Sequence, residues 1–191
     1  MKQSIQLSDH FTYGRLLRFT LPSIGMMIFT SIYGVVDGFF VSNFAGKTAF
    51  AAINLIMPLL MIFSTVGFMF GTGGSALVAK TLGEGDKEKA NRYFSLFVYV
   101  CAALGIVFTV IGMFIAPPVA EALGAEGQML HDAVLYSRII LAALPFGVLQ
   151  LLFQSFMITA EKPMLGLWVT VSSGVTNMVM DAVLVTLLPQ E

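Results

Sequence analysis

Charged side chains are scarce in this sequence of 191 residues, because Asp, Glu, Lys and Arg together make up only 11% of it. A soluble domain of this size carries about 25% charged residues. Hydrophobic residues make up 57% of the chain, and its mean hydropathy is +0.87. Because a core of this size cannot hide so much apolar surface, the composition predicts a protein embedded in a lipid bilayer.

Residue types that mark other classes of protein are also rare. The single cysteine, Cys101, excludes an intramolecular disulfide, and a net charge of −1 gives no reason to expect nucleic acid binding. The two histidines, His10 and His131, are far apart in sequence and show no metal-site spacing. The stretch GSALVAKT nearly matches a phosphate-binding loop, but Ala79 stands where the second glycine belongs, and we reject it. We therefore predict no enzyme, no cofactor and no structural metal.

Long apolar runs take the place of these missing features. A bilayer-spanning helix needs about 20 mostly apolar residues, whereas a strand of a membrane barrel is about 10 residues of alternating pattern. Five runs are long and unbroken enough to predict an all-α integral membrane protein with five transmembrane helices. The predicted spans are 19–41, 50–79, 93–116, 139–160 and 164–188, which together form one bundle over residues 19–188.

Basic residues predict the orientation of these spans, because cytoplasmic loops carry an excess of Lys and Arg. They gather before span 1, between spans 2 and 3, and between spans 4 and 5, namely at Lys2, Arg15, Arg18, Lys80, Lys87, Lys89, Arg92 and Lys162. The predicted loop 117–132 has none. We expect a multi-pass protein of the inner or plasma membrane, with residues 1–18 as a cytoplasmic segment.

Two acidic residues, Asp37 and Asp181, lie inside predicted spans, whereas almost all the others lie in loops and tails. An Asp at mid-helix costs about 2.5–3.5 kcal/mol on insertion scales. Both spans should run outward, and at about 1.5 Å per residue both acids lie about 26 Å along their helices. The two carboxyl groups are therefore predicted to share one depth and one site between spans 1 and 5.

Each acid ends a stripe of small or polar residues at spacing i, i+4, i+7 and i+11, which is one face of a helix. The stripes are Met26, Thr30, Tyr33 and Asp37 in span 1, and Thr170, Gly174, Asn177 and Asp181 in span 5. Such faces turn towards a bundle interior or an aqueous cavity, where a carboxylate can carry a proton or bind Na⁺ with an amide oxygen. The alternative is a structural polar bond. Gln150 and Gln154 of span 4 are further candidates for lining a cavity.

Two further patterns leave alternatives open. Pro22, Pro58 and Pro145 lie within spans, where each either acts as a hinge or makes a fixed bend. Gly67, Gly71, Ser75 and Ala79 repeat every four residues along span 2, and this pattern favours close helix packing inside one chain over a dimerisation face.

Three segments together resemble the multidrug and toxic compound extrusion (MATE) transporters. LPSIGMMIFTSIYGVVDGFFVSNFAG is similar to the first helix of that family, with its proline and its acid near the outer end. GFMFGTGGSALVAKTLGEGDKEKANR is similar to the glycine-rich second helix and the basic loop after it. EKPMLGLWVTVSSGVTNMVMDAVLV is similar to the fifth helix with its N-x-x-x-D element. The resemblance covers nearly the whole chain.

The resemblance implies a twelve-helix antiporter of two six-helix lobes that exports organic cations against H⁺ or Na⁺. It also implies that Asp37, Asn177 and Asp181 form the cation site of the N-terminal lobe, with Na⁺ or H⁺ as the coupling ion. Only the first five helices have counterparts here, so we expect a fragment whose partners are the lipid bilayer, small organic cations and the missing second lobe. Two alternatives stay open: a flippase of lipid-linked sugars with related architecture, and a non-transporting five-span membrane assembly module.

Overall fold

A computed structural model describes residues 13–44 and 46–187, and these ranges are almost entirely α-helical. The five helices are α1 (Tyr13–Phe44), α2 (Gly46–Gly83), α3 (Lys87–Ala122), α4 (Gly127–Thr159) and α5 (Pro163–Leu187). The predicted all-α class and the five helices are confirmed. Residues 1–12 of the predicted cytoplasmic segment and residue 188 of span 5 lie outside the described ranges.

Four of the helices, α1 to α4, are long and apolar enough to cross a membrane. The fifth helix forms where it was predicted, but the described part of α5 is not among these candidates. That α5 crosses the bilayer therefore stays a prediction.

The connections between helices are shorter than the sequence predicted. The predicted loop 117–132 is wrong for most of its length, because α3 continues through Pro117 and Pro118 to Ala122, and α4 begins at Gly127. Prolines weaken a helix by removing N–H donors. Here the helix persists because the alanines on either side of the proline pair, Ala116 and Ala120, are both fully buried, so packing of this face holds the segment helical.

The chain divides into two compact units. The first, called the helix-pair unit, comprises residues 1–46 and 157–191 and contains α1 and α5. The second, called the three-helix unit, comprises residues 47–156 and contains α2, α3 and most of α4. Each unit places a different set of candidate residues.

Buried hydrophobic side chains of the three-helix unit form one core. On α2 they recur every three or four residues, which is the spacing of one helix face. The buried positions of α2 are Ala52, Ile56, Leu60, Phe63, Gly67, Gly71, Gly74, Val78 and Thr81. The matching core positions of α4 include Leu141, Leu144, Val148, Leu152 and Phe156.

Glycines bring these helices into backbone contact. A Cβ atom added to Gly67 of α2 would lie 2.6 Å from the carbonyl oxygen of Val148 on α4. One added to Gly71 would lie 2.9 Å from the hydroxyl oxygen of Ser155. Because real Cβ atoms essentially never approach below 3.0 Å, Gly67 cannot be replaced without moving the α4 backbone, whereas a replacement at Gly71 would displace the Ser155 hydroxyl. The prediction that the small residues of α2 pack within one chain is confirmed for these two.

Candidate functional site

The helix-pair unit is held together through small residues on both helices. A Cβ atom at Gly166 of α5 would lie 3.2 Å from the sulfur of Met26, and one at Gly174 would lie 2.5 Å from Cε1 of Phe29. On α1, a Cβ atom at Gly25 would lie 3.4 Å from Cδ1 of Leu167. Small residues let two helices approach closely without relying on bulky interlocking side chains. This close approach sets the register of α1 against α5.

That register brings Asp37 and Asp181 together. Their carboxyl groups lie within reach of a hydrogen bond to each other, and their like charges repel when both are ionised. Both residues are half-buried. The predicted juxtaposition of the two acids between helices 1 and 5 is therefore confirmed, whereas their role in binding a coupling ion stays a prediction.

The hydrogen bonding of the pair is incomplete. An ionised carboxylate only accepts hydrogen bonds, so two carboxyl groups can bond to each other only when one of them carries a proton. In addition, the Oδ2 atom of Asp181 is buried and has no hydrogen-bond partner among the described residues. A buried acceptor without a partner is costly, so this oxygen is suited to a proton or a cation.

The other residues of the two predicted stripes divide into two groups. Met26 and Gly174 are buried in the contact between α1 and α5, where they pack the two helices together, and that they line a cavity stays a prediction. The remaining members keep surface that faces out of the helix pair: Thr30 and Asn177 are exposed, and Tyr33 and Thr170 are half-buried. Asn177 lies one helical turn before Asp181 on the same face.

The sequence stripes missed part of the α1–α5 contact. Gly25 and Phe29 lie one residue before Met26 and Thr30, so the contact face of α1 extends to the side of the predicted stripe, which still contributes Met26 and Asp37. On α5, Gly166 extends the stripe by one turn, since it lies four residues before Thr170. Gly166 could have been predicted from the sequence, because it continues the same spacing, whereas no sequence signal singled out Phe29.

Gln150 and Gln154 belong to α4 in the three-helix unit, where Gln150 is exposed and Gln154 is half-buried.

Within residues 13–44 and 46–187 no group of three or more His, Cys, Asp or Glu side chains could hold a metal ion. A cation at the carboxyl pair would therefore need amide, hydroxyl or backbone oxygens as well, which are the ligands that Na⁺-like hard cations accept. Asn177, one helical turn before Asp181 on the same face of α5, is the nearest amide side chain of that kind.

Comparison with known proteins decides the family. The MatE family model matches residues 22–183, which include both acids, Asn177 and all five helices in part or whole. This chain belongs to the MATE family. It is accordingly a multi-pass membrane protein with the fold of multidrug efflux transporters.

Named relatives agree with this membership. The chain is 24% identical over 170 residues to the multidrug export protein MepA of Staphylococcus saprophyticus, covering 89% of this chain and 38% of that protein. It is 24% identical over 184 residues to MepA of Staphylococcus haemolyticus, covering 96% of this chain and 41% of that protein. The chain therefore spans about two fifths of the length of the curated relatives it matches.

Solved structures confirm the fold. A transporter of the MOP superfamily from Pyrococcus furiosus matches with a TM-score of 0.83 at 23% identity, covering 89% of this chain and 37% of that one. For that transporter, the reverse polarity of the binding pocket suggests a different function. The MATE fold therefore does not by itself decide what is transported, and the substrate must be argued from the residues.

Proposed function

We propose that this chain forms five helices of the N-terminal lobe of a longer secondary transporter, which exports small organic cations in exchange for H⁺ or Na⁺. The transporter would lie in the plasma membrane with its N-terminus in the cytoplasm, and the rest of its length would supply the second lobe. The observation that carries the proposal is the direct contact of Asp37 with Asp181 between α1 and α5. Intramembrane acids in contact with each other are most readily explained by a role in ion or proton binding.

The carboxyl pair can couple ion binding to helix packing through its charge. With both groups ionised, the two negative charges repel each other across the α1–α5 contact. A proton or a cation at the pair removes that repulsion and provides the partner that Asp181 Oδ2 lacks. An ion that binds one arrangement of α1 and α5 better than another shifts the population towards it, which is how an ion gradient drives alternating access.

The names of the relatives support an exporter of drugs, since both MepA proteins are named multidrug export proteins. The charges of this chain support a cationic substrate over an anionic lipid head group. On the predicted outer side only Lys47 and Arg138 lie near a span, and both are exposed, whereas a site for an anionic lipid should concentrate Arg and Lys in the cavity.

The test is ion-driven drug efflux by the protein expressed from its complete reading frame, with Asp37→Asn and Asp181→Asn as separate variants. Coupling between two sites corresponds to about 1–3 kcal/mol. Losing it should therefore lower the ratio of exported to retained drug about tenfold or more. Imposing H⁺ and Na⁺ gradients separately identifies the coupling ion.

Asp86→Asn is the matched control, because it makes the same chemical change at an exposed acid in the α2–α3 connection, where Asn caps a helix as well as Asp does. Unchanged efflux and unchanged ion coupling in both pair variants would refute the proposal. So would a complete reading frame that lacks further hydrophobic spans, because a second lobe would then be missing.

A further inference from the structure

Pro145 lies inside α4 and removes one backbone hydrogen bond from it. In an α-helix the N–H of residue i donates to the carbonyl of residue i−4, and proline has no N–H. The carbonyl of Leu141 is therefore left without its usual donor. This carbonyl lies in the core of the three-helix unit, where the Leu141 side chain is fully buried, so water cannot readily replace the lost bond.

Thr109 of the neighbouring helix α3 supplies the missing donor. Its hydroxyl lies 2.7 Å from the carbonyl oxygen of Leu141 and 2.9 Å from the carbonyl oxygen of Gly105. The Gly105 carbonyl already accepts the backbone N–H of Thr109 in the regular helix. The Leu141 carbonyl has no such donor, and it is also the nearer of the two. We therefore assign the hydroxyl proton of Thr109 to the hydrogen bond with the Leu141 carbonyl.

The same face of α3 also contacts α4 closely on either side of the missing hydrogen bond. A Cβ atom at Gly105 would lie 2.7 Å from the Cα atom of Pro145, so the two backbones touch there. One added to Gly112 would lie 2.6 Å from Cδ2 of Leu141. Gly105, Thr109 and Gly112 follow one another at i, i+4 and i+7, so one stripe of α3 contacts both ends of the interrupted turn.

We propose that Thr109 locks the bend at Pro145, so that this proline is a fixed element of the three-helix unit and not a hinge. Thr109 is in this sense a positioning residue, because it fixes the direction of the part of α4 that carries Gln150 and Gln154. Within the described ranges, no side chain of another helix donates to the corresponding carbonyls of Arg18, before Pro22, or Asn54, before Pro58. The lock therefore distinguishes Pro145 from the other two prolines, and it does not depend on the proposed transport function.

A double-mutant cycle tests the lock in the purified protein from its complete reading frame. Thr109→Val removes the hydroxyl and keeps the shape, and should raise the unfolding equilibrium constant about tenfold, since it leaves a buried carbonyl unpaired. In a Pro145→Ala background the restored backbone N–H satisfies Leu141, and the alanine keeps the Cβ that contacts Gly105. There, Thr109→Val should have little effect.

Amide hydrogen exchange adds a local readout, because an unlocked bend should open more often. Exchange around residues 142–149 should rise in Thr109→Val and return to normal in Thr109→Ser, which keeps the hydroxyl. Thr65→Val is the matched control, since the Thr65 hydroxyl bonds only to Met61 of its own helix, at 2.8 Å. An equal effect of Thr109→Val with and without Pro145, or equal exchange in the Thr65 and Thr109 variants, would overturn the proposal.

Discussion

The two units of the chain differ in the kind of side chain that they place at their helix contacts. Sixteen hydrophobic side chains are buried in the core of the three-helix unit, whereas Met26 is the one such residue of the helix-pair unit among those the structure describes. The helix-pair unit instead places two acids against each other at the α1–α5 contact. One unit is therefore stabilised by apolar packing, and the other brings together polar groups that packing alone does not explain.

Glycine contacts show the same difference at the level of atoms. In the three-helix unit the glycines at positions 67 and 105 face backbone atoms of α4, which cannot move without moving the helix. In the helix-pair unit the glycines at positions 25, 166 and 174 face the ends of Leu, Met and Phe side chains, which can rotate. The three-helix unit has the construction of a rigid scaffold, and the helix pair has that of an adjustable contact.

The largest expected effect of a single added methyl group is in the scaffold. Gly67→Ala should destabilise the protein by about 3 kcal/mol or prevent folding, because the new Cβ would overlap the Val148 carbonyl and force α2 and α4 apart. The measurement is the thermal unfolding midpoint in detergent. Gly73→Ala is the control on the same helix, since nothing lies within 4 Å of its Cβ position. It should be neutral or stabilise the helix by up to about 1 kcal/mol. Equal losses in both variants would contradict the rigid packing of α2 on α4.

A smaller effect is expected for the same change in the helix pair. Gly174→Ala places a Cβ 2.5 Å from the edge of the Phe29 ring, which can turn away. The loss should stay near about 1 kcal/mol, since part of the overlap is relieved and alanine favours the helix. The same unfolding measurement, made beside Gly67→Ala, checks the contrast. A loss as large as that of Gly67→Ala would show that the helix pair is as rigid as the scaffold.

Helical periodicity made much of this architecture predictable from the sequence. The apolar runs predicted all five helices, and the equal depth and spacing of Asp37 and Asp181 predicted their meeting. The presence of Gly25 and Phe29 in the contact, one residue to the side of the predicted stripe, depends on how two helices rotate against each other. That rotation is decided by side-chain packing between helices, which no single helix pattern contains.

The prolines were the other positions at which the local sequence pattern was not enough to predict the structure. Pro117 and Pro118 look like the start of a loop, yet α3 continues through them because the helix face around them is buried. For Pro145, the sequence left hinge and fixed bend open. The deciding group, the Thr109 hydroxyl, is 32 residues away from Leu141 in the chain. Tertiary contacts of this kind override local propensity and leave no local signal.

The smallest expected effect is at the surface of the scaffold, where α3 begins. The Asp86 carboxylate accepts a hydrogen bond of 2.9 Å from the backbone N–H of Lys89, which caps the helix. Asp86→Ala should lower stability by at most about 1 kcal/mol, and Asp86→Asn should preserve it, because Asn is an equally good N-cap. Unfolding midpoints of the two variants check this. If Asp86→Ala were as damaging as Gly67→Ala, the stability of the three-helix unit would depend on its connections as much as on its interior, and the contrast drawn between a packed scaffold and an adjustable helix pair would lose its basis.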